Sequence, residues 1–166
     1  MLVMEKTHWQ SRYRSTMIIV LSILASVLLF MLMTYVVGLS SEVPALDDPE
    51  QVAWLFRIMY VAAFLLGIGV IIGRRVFFSA SRLVRVVEAG GLNRLVGELA
   101  SKTILLAAVS ELIALLGLAL SLLTKSNEAM WRLGSVGVVL LIYNLPRRSA
   151  WERTVENFSR LTYEEQ

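Results

Sequence analysis

Residues 103–123 read TILLAAVSELIALLGLALSLL, a run in which Glu111 is the single ionisable residue. At about 1.5 Å of rise per residue, a helix over this run is roughly as long as a hydrocarbon core is thick. Three further stretches, at about 16–38, 52–73 and 129–146, are similarly apolar. Backbone groups cannot stay unpaired in lipid, and none of the four stretches alternates as a barrel strand does, so each is expected to be an α-helix. The expected fold is therefore all-α: a polytopic membrane protein with four transmembrane helices in a single membrane domain over 1–166, ending in a cytoplasmic tail at 147–166.

Composition points the same way. The chain is 57% hydrophobic and 17% charged, with a mean hydropathy of +0.67, well outside the range of a soluble domain. It has no cysteine, one histidine (His8) and three prolines, which leaves no ligand set for zinc or haem attachment and no disulfide. No metal site and no cofactor are expected. The net charge of +3 does not imply nucleic acid, because the basic residues flank the apolar runs. The first run is too long for a secretory signal and lacks a small-x-small cleavage site after it, so it is expected to stay as an anchor.

Lysine and arginine set the expected orientation. Lys6, Arg12 and Arg14 precede the first helix; Arg74, Arg75, Arg82, Arg85, Arg94 and Lys102 lie between the second and third; Arg147, Arg148, Arg153 and Arg160 follow the fourth. The connection SSEVPALDDPEQ, after the first helix, holds no basic residue, and the turn after the third holds only Lys125. Both termini are thus expected in the cytoplasm, with the protein in a bacterial inner (cytoplasmic) membrane. Trp9, Tyr35, Trp54, Trp131, Tyr143 and Trp151 fall near the segment ends, where aromatic side chains anchor at the interface.

The segment between the second and third spans, RRVFFSASRLVRVVEAGGLNRLVGELASK, repeats Val76, Phe77, Ala80, Leu83, Val84 and Val87 at helical spacing. One reading continues the second helix to about 89, stops it at Gly90-Gly91, and returns through Leu92, Leu95, Val96 and Leu99 into a third helix over 92–123. This makes a long central hairpin with a basic tip. The other reading is a basic amphipathic helix lying flat on the inner leaflet.

Glu111 lies eight residues into the third helix, roughly 12 Å from its cytoplasmic end and so near the midplane. An ionised carboxylate at that depth costs several kcal/mol, which a bound proton or a partner cation would offset. Glu111 is accordingly the candidate proton or cation site; the alternative is a protonated acid that hydrogen-bonds a neighbouring helix. Ser110, Ala114, Gly117 and Ser121 form a strip of small residues beside it, with Ala107 one turn before, and Arg57 is the cation that could reach toward it. On the second helix Ala62, Gly67, Gly69 and Gly73 offer a matching small-residue surface for close packing.

The hairpin from about Ala62 to Leu123 resembles the proteolipid c subunit of rotary ATP synthases, through LLGIGVIIG on one arm and SELIALLGLAL on the other. Glu111, Ala114, Gly117 and Leu118 fall where that family has its carboxylate, alanine, glycine and leucine. The resemblance implies a reversible proton or cation site at Glu111. Val70, Ile71 and Ile72 stand where the family has further small residues, Leu112 and Leu116 replace its alanine and tyrosine, and the first and fourth helices are additional.

Two functions are expected from these residues. One is proton or cation binding or translocation at Glu111, in an oligomer built through the small-residue faces. The other is a non-transporting scaffold, assembly factor or accessory subunit that contacts other membrane proteins. Enzymatic activity is not expected: no His-Glu-x-x-His, no Ser/His pair and no carboxylate pair occurs within the spans. The expected partners are the lipid bilayer, other copies of the chain or other membrane proteins, and not nucleic acid.

Overall fold

The computed structural model describes residues 2–38 and 48–164. The centre of the acidic connection, at 39–47, lies outside the described residues. Five helices follow in order: α1 (Leu2–Gly38), α2 (Pro49–Phe77), α3 (Ala80–Thr124), α4 (Asn127–Asn144) and α5 (Arg148–Glu164). The first four are each long and apolar enough to cross a membrane.

Local chemistry sets most of their ends. At the start of α2, Asp48 is in extended conformation and its Oδ1 accepts from the Glu50 N–H at 3.0 Å, while Pro49 occupies a position where no N–H is needed. The α3–α4 turn needs only two residues because Lys125 adopts the left-handed conformation (φ 53°) and Ser126 is extended. Leu145 ends α4 in extended conformation (ψ 127°), as the ring of Pro146 requires of the residue before it.

The second helix does not continue to 89. It ends at Phe77, and Ser79 turns the chain: its Oγ donates to the Val76 carbonyl at 3.0 Å, and its own carbonyl accepts from the Arg82 and Leu83 N–H groups. One serine thus satisfies groups of the helix that ends and of the helix that begins. The next turn of direction is at Gly90 and Gly91, where α3 bends sharply. Leu83 of the first arm then lies in one cluster with Leu95, Val96 and Leu99 of the second, with Val86, Val87 and Leu92 beside them. Residues 80–89 therefore fold back on the start of the third span, so the hairpin is formed by two helices within the 80–124 segment.

Gly91 has φ 67° and ψ −172°, a region essentially closed to residues with a Cβ. Gly91→Ala is expected to lower stability by about 1–3 kcal/mol, measured by thermal unfolding in detergent. Gly69 of α2, where an alanine Cβ would meet nothing within 4 Å, serves as the control.

α3 and α4 form the central pair, and α1 and α2 fill the two grooves that flank it. On one side Val20, Val27 and Met31 of α1 pack with Ala107 and Ala114 of α3 and with Met130 and Leu141 of α4. On the other, Ala63 and Val70 of α2 pack with Leu106, Ile113, Leu133 and Leu140. The outward faces remain apolar, with Leu32, Phe64, Leu65, Leu122 and Val139 all exposed, as a lipid-facing surface requires.

α1 has 37 residues, about 55 Å of helix, which is far more than a bilayer core needs. Its N-terminal half joins a separate cluster made by Trp9, Leu83, Leu95, Val96, Leu99, Trp151 and Phe158. The segment after the fourth span, read from sequence as a tail, is thus an amphipathic helix docked at the same end as the α3 bend. Trp9 and Trp151, expected as interfacial anchors, are instead core residues of this collar, 7% and 4% exposed. Tyr35, Trp54, Trp131 and Tyr143 are exposed. The collar is fastened to the end of α4: the Tyr13 hydroxyl donates to the Pro146 carbonyl at 3.2 Å, and its ring meets that of Trp151 edge-on at 5.6 Å.

Candidate functional site around Glu111

Glu111 is on the edge of the α1–α3 groove. Ala107, Ser110 and Ala114 beside it are buried, while Ala108, Leu112 and Leu115 on its other flank are exposed, so the carboxyl group is half-buried between the bundle and its outer surface. Its partner is Ser26 of α1, whose Oγ donates to Glu111 Oε1 at 3.0 Å. This bond joins two helices, unlike most buried polar groups of the bundle. Thr103 and Ser110 each donate to a carbonyl one turn back in their own helix, at 2.7 and 2.8 Å.

Arg57 is not brought to Glu111. It is exposed on α2, in the other groove of the α3–α4 pair, and among the described residues no ion pair joins the two. Arg132, the second arginine within a span, pairs with Glu128 one turn away. Among the described residues no group of three or more His, Cys, Asp and Glu comes together. Among the described residues the site presents one carboxyl group and one hydroxyl.

The small-residue strip faces α4. A Cβ on Gly137 would lie 3.0 Å from the Ser110 carbonyl oxygen and 3.3 Å from Ala114 Cβ; one on Gly117 would lie 2.9 Å from Leu133 Cβ and 3.3 Å from the Ala129 carbonyl oxygen. Backbones at this spacing gain dispersion contacts, which drive helix association where lipid removes the hydrophobic term. Ser121 belongs to the same seam: its Oγ accepts from the Met130 N–H at 2.9 Å and ties the top of α4 to α3.

The residues of α2 divide. Gly73 lies against Leu106, with 3.2 Å left for a Cβ; Gly67 is in ordinary contact with Leu140; Ala62 is half-buried. Gly69 is exposed and a Cβ there would meet nothing within 4 Å. The partner of the α3 strip is α4, whose Gly137 supplies the close approach, while Gly134 lies against Met31 of α1. Sequence reading placed α2 there because small residues occur on several helices, and their spacing alone does not say which two helices meet. Gly137 in LGSVGVV, residues 133–139, is the sequence signal for that contact.

Comparison with known proteins finds no family model that matches this chain, and no match among curated proteins or solved structures.

Proposed function

We propose that this is an integral membrane subunit that works in a complex, with Glu111 as a protonated carboxyl that hydrogen-bonds helices together. One oxygen holds Ser26 of α1, and the open flank is available to a helix of another copy or of a different membrane protein. The observation that supports this most directly is the half-buried position of Glu111, with a single partner that comes from another helix. The basic arms add orientation. The α1 N-terminal half, the α2 end, the α3 bend and α5 gather at one end of the molecule, and by the positive-inside rule that end is cytoplasmic. A bacterial inner membrane suits this arrangement.

The second reading is proton or cation translocation, which the likeness to proteolipid c subunits implies. It needs further polar groups from outside the chain. The buried hydroxyls of Thr103 and Ser110 are already committed to their own helices, so they do not link Glu111 to either surface.

Substitution separates these readings. Glu111→Gln keeps a hydrogen-bonding side chain of the same shape and is expected to preserve assembly in native membranes. Glu111→Leu is expected to weaken association by about 1–2 kcal/mol, roughly five- to thirtyfold, read by cross-linking and by size in mild detergent. A lipid-soluble carbodiimide is expected to label Glu111 in the parent and to leave Glu111→Gln unlabelled. If Glu111→Leu assembles like the parent, the proposal fails. Proton flux in proteoliposomes that Glu111→Gln abolishes would replace it with the translocation reading.

A further inference from the structure

A second polar site lies where the spans meet the collar. A partly enclosed cavity of about 210 Å³ is bounded by Arg74, Asn144 and Arg147 from the ends of α2 and α4, by Thr103 of α3, and by Trp151 and Thr154 of α5. Arg74 is fixed in place. Its Nη1 donates to the Tyr143 carbonyl and to Asn144 Oδ1 (3.2 Å), and its guanidinium lies over the Tyr143 ring, 4.4 Å from the centroid. Asn144 in turn is buried and anchored to the Leu140 carbonyl.

The charge in this cavity is unbalanced. Neither arginine has a carboxylate within ion-pair distance among the described residues, and no acidic side chain lines the cavity. The two cations also repel each other, and Arg74 is desolvated by its surroundings. Two like charges beside one concavity, one of them held rigidly by neutral acceptors, form an arrangement that an anion would complete. Guanidinium groups pair with phosphate oxygens in a two-pronged geometry, and the start of α5 adds the partial positive charge of a helix N-terminus. Leu106 supplies an apolar wall on the side of the spans and Leu99 one on the side of the collar.

We propose that this cavity binds a phosphate group, with Arg74 and Arg147 as its two cationic ligands, and that the phosphate is supplied by the headgroup of an anionic phospholipid. The position favours a lipid source: Arg74 directly follows the apolar run of α2 and Asn144 ends that of α4, so the cavity lies at headgroup level.

The test uses the full chain in neutral phosphatidylcholine nanodiscs, titrated with phosphatidylglycerol and, separately, with inorganic phosphate. Bound lipid is read by native mass spectrometry and binding by thermal shift. Phosphatidylglycerol is expected to bind in preference to phosphatidylcholine, about tenfold more weakly in Arg147→Gln, which removes one charge-assisted contact. Arg148→Gln, next in sequence but outside the cavity lining, is expected to bind as the parent does. The Arg147 side chain makes no hydrogen bond among the described residues, and its backbone carbonyl, which accepts from the Ala150 and Trp151 N–H groups at the start of α5, is kept in Arg147→Gln, so the substitution tests binding and not folding. Arg74→Lys keeps the charge and loses the planar fork, and an intermediate loss is expected. Inorganic phosphate that stabilises the parent but not Arg147→Gln, without lipid preference, supports the phosphate site and assigns its occupant to a soluble source. Equal losses in Arg147→Gln and Arg148→Gln, or no response to either ligand, would overturn the proposal.

Discussion

Gly117→Leu and Gly137→Leu are each expected to prevent the native bundle from forming. Even an alanine Cβ at Gly117 comes within 2.9 Å of Leu133 Cβ, and one at Gly137 within 3.0 Å of a backbone carbonyl oxygen. Neither neighbour is the free end of a flexible side chain, so relief requires α3 and α4 to separate. For alanine the cost is about 1–3 kcal/mol, typical of overpacking. Leucine adds three carbons with nowhere to go, and separating the central pair also opens the two grooves that seat α1 and α2. The measurement is SDS-driven unfolding in mixed micelles, followed by circular dichroism, with the yield of monodisperse protein as a second readout. Gly69→Ala is the matched control: with nothing within 4 Å it is expected to leave stability unchanged or raise it by up to about 1 kcal/mol through helix propensity. Equal behaviour of all three positions would show that the α3–α4 seam is not where the bundle is held.

Trp151→Ala is expected to release α5. Trp151 is almost fully buried, meets the Tyr13 ring edge-on, and belongs to the only cluster of buried residues that joins α5 to α1 and α3 among the described residues. Emptying such a site costs about 3–5 kcal/mol. Unlike the membrane spans, α5 has no lipid to retain it, so the loss appears as local undocking while the four spans persist. Trypsin cleavage within 147–153, rich in arginine, is the readout. Where cleavage follows the open population, an opening made about 3 kcal/mol easier speeds it by roughly a hundredfold. Trp131→Ala, at an exposed position on α4, is expected to leave the rate unchanged. Unchanged cleavage in Trp151→Ala would mean that other contacts dock α5.

That four helices are long and apolar enough to cross a membrane could be read from the chain because it depends on a one-dimensional quantity, the run of apolar residues. Glu111 stood out for the same reason. What lay beyond reach depends on which surfaces meet. The 80–89 segment is basic and amphipathic, which suits equally a surface helix on lipid and a helix packed on protein; Leu83 against Leu95 and Leu99 decided for protein. Trp9 and Trp151 sit close to span ends in sequence, and only the fold shows that they face each other's neighbourhood and not the interface. The α5 helix had a legible signal, since Trp151, Val155 and Phe158 share one face at helical spacing. The Ser26 partner of Glu111 did not, because a serine hydroxyl satisfied by its own helix is indistinguishable by sequence from one that reaches across.

The diamond arrangement of the spans also bears on how the chain is made. α1 and α2 are synthesised first, yet each finds its seat only on the α3–α4 pair, one in either groove. During biosynthesis they must therefore wait in the bilayer as solitary helices, and their outward surfaces, mostly exposed even in the finished bundle, suit them to that. The fourth span is the least apolar of the four and the most enclosed by protein. It emerges last, when the surfaces that enclose it already exist, so its departure from the insertion machinery and the closure of the bundle become a single event.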